Sequence, residues 1–163
     1  MNTLKQEVKN LLNDLEKWFD KKYKEKIERR YRENRTRDYD QLVAADDVGG
    51  KLNLKWAPKP DLGVRLGKGT YTFVEVEGHQ SPNLNRNVDK YWKLLSKWKE
   101  KGEYPKVILV HVLHEKRVKK DFSAEDIAEF VADKIKKEFD FEYLQIYSWD
   151  LDEIKEEIRS VIS

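Results

Sequence analysis

The sequence predicts a single α/β domain over residues 1–163, built on a mixed β-sheet flanked by helices. Three observations carry that prediction. Val107 to Leu113 (VILVHVL) is a nearly continuous apolar run, the pattern of a strand covered on both faces. The segments beginning near Asn83, Ser123 and Asp150 repeat apolar residues at helical spacing. These helices alternate with strands after a hairpin, and such alternation builds a sheet with helices on both sides.

Taken in chain order, Leu4, Val8, Leu11, Leu15 and Trp18 recur at alternating four and three spacing, and Ile27 and Tyr31 continue less regularly. That stripe predicts a long N-terminal helix over about residues 3–31, which packs on the core or reaches a second copy of the chain. Residues 34–50, with five Asn and Asp and the pair Gly49-Gly50, read as a loop, and residues 52–66 as extended chain broken by Pro58 and Pro60. Gly67-Lys68-Gly69 predicts a tight turn into the alternating strand Thr70 to Glu77, which closes a hairpin. Residues 83–101 read as a helix with Leu84, Val88, Tyr91, Trp92, Leu95 and Trp98 on one face. Ser123 and Asp126 resemble a capping box opening a helix to about Glu138, with Ile127, Phe130, Val131 and Ile135 inward. Tyr143 to Trp149 predicts a further strand, and Asp150 caps a last helix carrying Leu151, Ile154, Ile158 and Val161. The sheet strands are therefore expected near residues 61–66, 71–77, 107–113 and 143–148.

Composition excludes several kinds of chemistry. The chain has no Cys, which removes disulfides, thiol nucleophiles and Cys-ligated metals. Its three His (His79, His111, His114) are scattered; His79 reads as a surface residue and His111 as a hydrogen-bonded core residue. No Gly-x-Ser-x-Gly elbow supports a Ser triad, and Leu66-Gly67-Lys68-Gly69-Thr70 is too short for a Walker motif. No run of about 18 apolar residues occurs and no signal-peptide segment opens the chain, so a soluble, cytoplasmic protein with no membrane partner is expected. Heavy Lys and Glu use with one Met resembles a thermophile's composition.

The formal net charge of +2 conceals an uneven distribution. Residues 121–163 hold 13 acids and five bases, whereas residues 1–120 hold 28 bases and 18 acids. The densest basic stretch runs from Lys21 to Arg37, and Arg29, Arg30, Arg32 and Arg35 are its candidates for contacting a polyanion. A solvated helix face with Glu–Lys pairs accounts for the same stretch and, on charge alone, is slightly favoured.

One constellation carries chemistry. Pro60-Asp61 precedes Glu75-Val76-Glu77 by thirteen residues, across the hairpin. Glu75 and Glu77, two apart on a strand, share a face, and Val74 and Val76 point to the other. The turn brings Asp61 back beside that pair, and three carboxylates on one patch suit Mg²⁺ or Mn²⁺. A solvent-facing strand edge of alternating acids is the competing account.

These residues, set between a first helix and the helix near Asn83, resemble the PD-(D/E)XK nuclease superfamily. The resemblance implies a restriction endonuclease-like core (α-β-β-α-β), with α-β-α elements added at the C-terminus, and Mg²⁺-dependent hydrolysis of DNA. It implies that Asp61, Glu75 and the Val76 carbonyl bind the metal and that Glu77 holds the third catalytic position, where the family usually has Lys. It also implies an acid on the first helix, for which Glu28 and Glu33 are both candidates, and sets Lys90, between Asn87 and Tyr91, near DNA. The partners expected are DNA and a second copy of the chain. Two other readings stand beside the nuclease: a catalytically inactive nucleic-acid-binding or assembly protein of the same fold, favoured by Glu77, and a partner-binding module using the N-terminal helix.

Overall fold

The computed structural model describes residues 3–32, 58, 60–67, 69–79 and 84–162. The order is α1 (Thr3–Lys22), β1 (Ile27–Arg32), β2 (Leu62–Leu66), β3 (Thr70–Glu77), α2 (Leu84–Glu100), β4 (Lys106–Leu113), α3 (Ala124–Lys136), β5 (Phe141–Ile146) and α4 (Leu151–Ile162). The five strands lie in sequence order across one sheet. β1, β2 and β3 form an antiparallel meander, and β4 and β5 add to it in parallel. The predicted α/β class with a mixed sheet is therefore correct.

The first helix is shorter than its apolar stripe suggested. α1 ends at Lys22, and the chain turns through hydrogen bonds from Tyr23 N–H to the Phe19 carbonyl and from Lys26 N–H to that of Tyr23. Residues 27–32 then form β1, paired from Ile27 opposite Leu66 to Arg32 opposite Leu62. Ile27 and Tyr31 are four apart, the spacing of one helix face, but on β1 an irregularity between Ile27 and Arg29 sets Ile27 in the α1/α4 layer and Tyr31 in the α2/α3 layer. Cross-strand pairing with β2 decides for the strand.

Alternation along β3 and β4 divides the core into two layers. Tyr71, Phe73, Val107, Leu109 and Leu113 pack under α2 and α3, against Val88, Tyr91, Leu95, Trp98, Ala128 and Ile135. Val74, Val76, Ile108, Val110 and Val112 face α1 and α4, against Leu11, Leu15, Phe19, Ile154 and Ile158. β4 is the middle of the parallel part and is buried on both sides, as its unbroken apolar run required.

Caps and turns agree with the sequence, with one exception. The Ser123 side chain accepts the Asp126 N–H at the start of α3, and Asp150 Oδ1 accepts the Glu153 N–H at the start of α4. Gly69 turns the β2–β3 hairpin with φ of 73°, a conformation glycine adopts without steric penalty. The exception is Phe130, expected inward: it is 62% exposed, and the small Ala128 and Ala132 face the sheet in its place. Its ring lies under the Lys134 ammonium, 5.0 Å from the centroid.

Candidate functional site

Asp61 lies one residue before β2. Leu62 pairs with Val74, so the same antiparallel register carried one step further sets Asp61 opposite Glu75. Asp61 Oδ2 accepts the Val76 N–H at 2.8 Å, satisfying a β3 amide just past the end of the β2 ladder. The hairpin thus brings Asp61 and Glu75 together as the motif spacing required.

Glu75 is held from the helix layer. It is only 8% exposed, and its Oε1 accepts the Tyr91 hydroxyl at 3.1 Å. The Tyr91 ring stacks on Phe73, two residues back along β3, with centroids 5.2 Å apart. One tyrosine therefore spans two same-face positions of the strand, its ring on the apolar residue and its hydroxyl on the acid.

Glu77 follows the same logic one helical turn away. Asn87 Nδ2 donates to Glu77 Oε1 at 3.1 Å, four residues before Tyr91 on α2. Strand neighbours two apart are thus matched to helix neighbours four apart, and both acids face α2. The expected convergence of Asp61, Glu75 and Glu77 into one three-carboxylate cluster is not observed. Among the described residues no group of three His, Cys, Asp or Glu could hold a metal ion. Asp61 and Glu75 are neighbours across the hairpin; Glu77 turns to Asn87.

The parallel pairing of β3 with β4 sets His111 beside Glu75. His111 is fully buried, and desolvation, helped by the Arg117 charge, pushes its pKa down to about 3, so the ring is neutral. A chain of hydrogen bonds runs to its ring. Tyr147 donates to Gln145 Oε1 at 2.6 Å, Gln145 Nε2 donates to the Glu125 carbonyl and to the Tyr143 hydroxyl oxygen, and His111 Nδ1 meets that hydroxyl. The buried Nε2 of His111 has no hydrogen-bond partner among the described residues.

A buried ion pair closes this end of the sheet. Arg117 Nε lies 2.5 Å from Glu125 Oε1, and Arg117 Nη1 donates to the Gly78 carbonyl at 2.8 Å, immediately after Glu77. Burial opposes ionisation of Glu125, but its own backbone N–H and Arg117 outweigh burial and hold the carboxyl below its usual range. The loop after β4 is thereby clasped to the end of β3.

The other expected residues fall elsewhere. Glu28, offered as the first-helix acid, lies on β1 and pairs with Arg65 at 3.0 Å, at the opposite end of β2 from Asp61. Glu33 and Arg35 lie outside the described residues, as does the 34–50 loop. Arg30 pairs with Asp20 at 2.7 Å. Arg32 is buried, with Nη1 on Glu16 and Nη2 on Asn13, both at 3.0 Å. These two arginines tie β1 to α1 and are not the freely projecting cations the sequence suggested. Arg29 also lies on β1, and Lys90 lies half-exposed on α2.

Sequence reasoning named Asn87 and Tyr91 without giving either a role, read His111 correctly as a hydrogen-bonded core residue, and missed Arg117 and Glu125. The signal for the first two was available: a four-residue helix spacing opposite a two-residue strand spacing.

Fold and geometry define a three-layer α/β protein with acids and their hydrogen-bond partners gathered where β2 begins and β3 ends. Compared with protein-family models, curated proteins and solved structures, the chain matches none. No helix among the described residues is long and apolar enough to cross a membrane.

Proposed function

We propose that the chain is a divalent-metal-dependent nuclease that hydrolyses DNA phosphodiester bonds, similar to PD-(D/E)XK enzymes. The observation that carries this reading is the juxtaposition of Asp61 and Glu75 across the β2–β3 hairpin, with Glu75 fixed by Tyr91. The order helix, three-stranded meander, helix, parallel strand also supports it.

Asp61 and Glu75 supply hard oxygen ligands, and a cation that keeps most of its waters needs only one or two carboxylates from the protein. That donor set fits Mg²⁺ or Mn²⁺, with the Val76 carbonyl as a third candidate ligand. When bound, such an ion lowers the pKa of a coordinated water and offsets charge building on phosphorus. Water adds to phosphorus, one ester P–O bond breaks, and the departing oxygen leaves with a proton. Glu77, steadied by Asn87, orients the water from the strand face that carries Glu75. Tyr91 limits the rotamers open to Glu75 and so preorganises the ligand.

One observation favours a second reading. Glu77 occupies the position where the family usually has Lys and is turned to Asn87, which suits a catalytically inactive nucleic-acid-binding protein of this fold. Incubation with supercoiled, linear, single-stranded and branched DNA in Mg²⁺, Mn²⁺ or EDTA separates the two. Cleavage that needs metal and disappears in Asp61→Asn supports the nuclease. Binding without cleavage in every metal supports the inactive binder.

A further inference from the structure

On the layer opposite Glu75 and Glu77, α1 and α4 pack side by side and border an open groove of roughly 880 Å³. Lys17, Lys21 and Lys22 reach it from α1 and Lys155 and Arg159 from α4, with Trp18 and Leu151 in its wall. Asp14 and Asp152 are its acids, so cations outnumber acids five to two. Lys17 and Lys21 are four apart, as are Lys155 and Arg159, so each helix presents a basic pair on one face. α4 is otherwise acidic, with Asp152, Glu153, Glu156 and Glu157, yet both of its bases line this groove.

Internal pairing does not account for the concentration of charge. Lys17, Lys21, Lys22 and Lys155 make no ion pair among the described residues, and Arg159 meets only an exposed Glu156 at 3.0 Å. Lys21 and Lys22 sit in the last turn of α1, where they offset the helix dipole. Arg159 likewise sits in the last turn of α4, which leaves Lys17 and Lys155 without such an account. Cations gathered around a concave surface raise the local potential and concentrate anions there.

We propose that this groove is a binding site for a strand of nucleic acid, with phosphates against Lys17, Lys21, Lys155 and Arg159 and a base against Trp18. The combination of ammonium and guanidinium groups with a half-buried indole suits a ligand carrying both phosphate and a flat ring. The site is distinct from the acids. A Cβ at Gly78 would lie 3.4 Å from Leu4, so α1 starts beside the end of β3. The groove begins ten residues further along α1, about 15 Å at the helical rise. The choice of ligand agrees with the nuclease reading, but occupancy of the groove requires neither metal nor cleavage.

The test is fluorescence anisotropy of a labelled 20-nucleotide single strand in EDTA, with the wild type, Lys17→Glu/Lys155→Glu, Asp61→Asn, the combination of these three substitutions, and Trp18→Phe. Circular dichroism confirms folding of each variant. The double reversal is expected to weaken binding at least tenfold and to lower the slope of log affinity against log salt by about two. The double reversal is expected to weaken binding by the same factor in an Asp61→Asn background as in the wild type, which separates this site from the acidic one. Trp18→Phe is expected to bind only a few-fold more weakly, because a stackable ring remains. Affinity within twofold of wild type for the double reversal would overturn the proposal. So would equal displacement of the strand by poly-glutamate, indicating an acidic protein partner, or by a free mononucleotide at matched phosphate concentration.

Discussion

The Tyr91 hydroxyl donates to Oε1 of Glu75 across 3.1 Å, joining α2 to β3 where both side chains are buried. Tyr91→Phe keeps the ring stacked on Phe73 and removes only the donor. A buried acceptor that loses its partner costs about 1–3 kcal/mol, so urea unfolding should show a loss in that range. Under the nuclease reading, cleavage should fall as well, because Glu75 gains freedom to leave its position. Tyr91→Leu should cost more, since it also removes the aromatic stack.

Arg117 and Glu125 are each almost fully buried, so removing one strands the other. Arg117→Met is expected to destabilise the protein by about 3–5 kcal/mol, and Arg117→Met with Glu125→Leu to recover much of that loss. Denaturant melts of the single and double variants check this. The Glu125 carboxyl is held below its usual range, so its contribution is present above the ordinary carboxylate pKa and is lost as pH falls through the folded value. The double variant should lack that part of the acid sensitivity.

His111 gives a second pH dependence at less acidic values. In the unfolded chain the ring protonates near 6.5, whereas burial, with Arg117, keeps it neutral in the fold down to about 3. Between those values the unfolded state binds more protons, so stability falls as pH drops. The full effect is at most about 5 kcal/mol, from 1.36 kcal/mol per pKa unit. His111→Gln, whose side-chain amide can still hydrogen-bond Tyr143 but does not titrate, should flatten the decline in stability between pH 6.5 and 4.5. An unchanged slope in thermal melts across that range would show that His111 does not titrate as argued.

Gly63 pairs with Phe73 across β2 and β3, and the aromatic ring covers the glycine. A Cβ there would come within 2.8 Å of Phe73 Cδ1 and 3.3 Å of Tyr31 Cδ2. Gly63→Ala should therefore cost about 1–3 kcal/mol through overpacking, although alanine usually suits a strand better than glycine. Gly67→Ala, whose nearest neighbour is the flexible end of Glu28 at 3.9 Å, serves as the comparison.

The parts of the fold that were legible in the sequence are those with one unambiguous period. The VILVHVL run fixed β4 as a covered strand, the stripe from Leu84 to Trp98 fixed α2, and the Gly67–Gly69 turn fixed the hairpin that sets Asp61 opposite Glu75. β1 was not legible, because Ile27 and Tyr31 continue the helical spacing and only pairing with β2, irregular between Ile27 and Arg29, makes the strand. Phe130 was misplaced because apolar spacing alone put it inward, whereas Ala128, Ala132 and Ile135 are the apolar residues of α3 buried against the sheet. The arginines of β1 read as a basic patch because Glu16 and Asp20, their partners, precede them by ten to sixteen residues. Glu77 was expected to join Asp61 and Glu75; Asn87 holds it on α2, a tertiary contact that strand alternation alone cannot reveal.

The reading of Glu77 can be tested by introducing the Lys usual at that position in PD-(D/E)XK enzymes. Under the nuclease reading with Glu77 as a water-orienting group, Glu77→Lys should retain measurable cleavage, at the cost of the bond to Asn87. Complete loss of cleavage with the fold intact would show that the negative charge itself is required.

The most direct measurement is cleavage of supercoiled plasmid by the wild type, Asp61→Asn and Glu75→Gln in Mg²⁺ and in EDTA, with folding confirmed for each. The nuclease account predicts nicking by the wild type in Mg²⁺ only, and its loss by at least a hundredfold in either variant. Wild-type cleavage that persists in EDTA, or that survives both substitutions, would contradict it, as would the absence of cleavage in Mg²⁺ and Mn²⁺ alike.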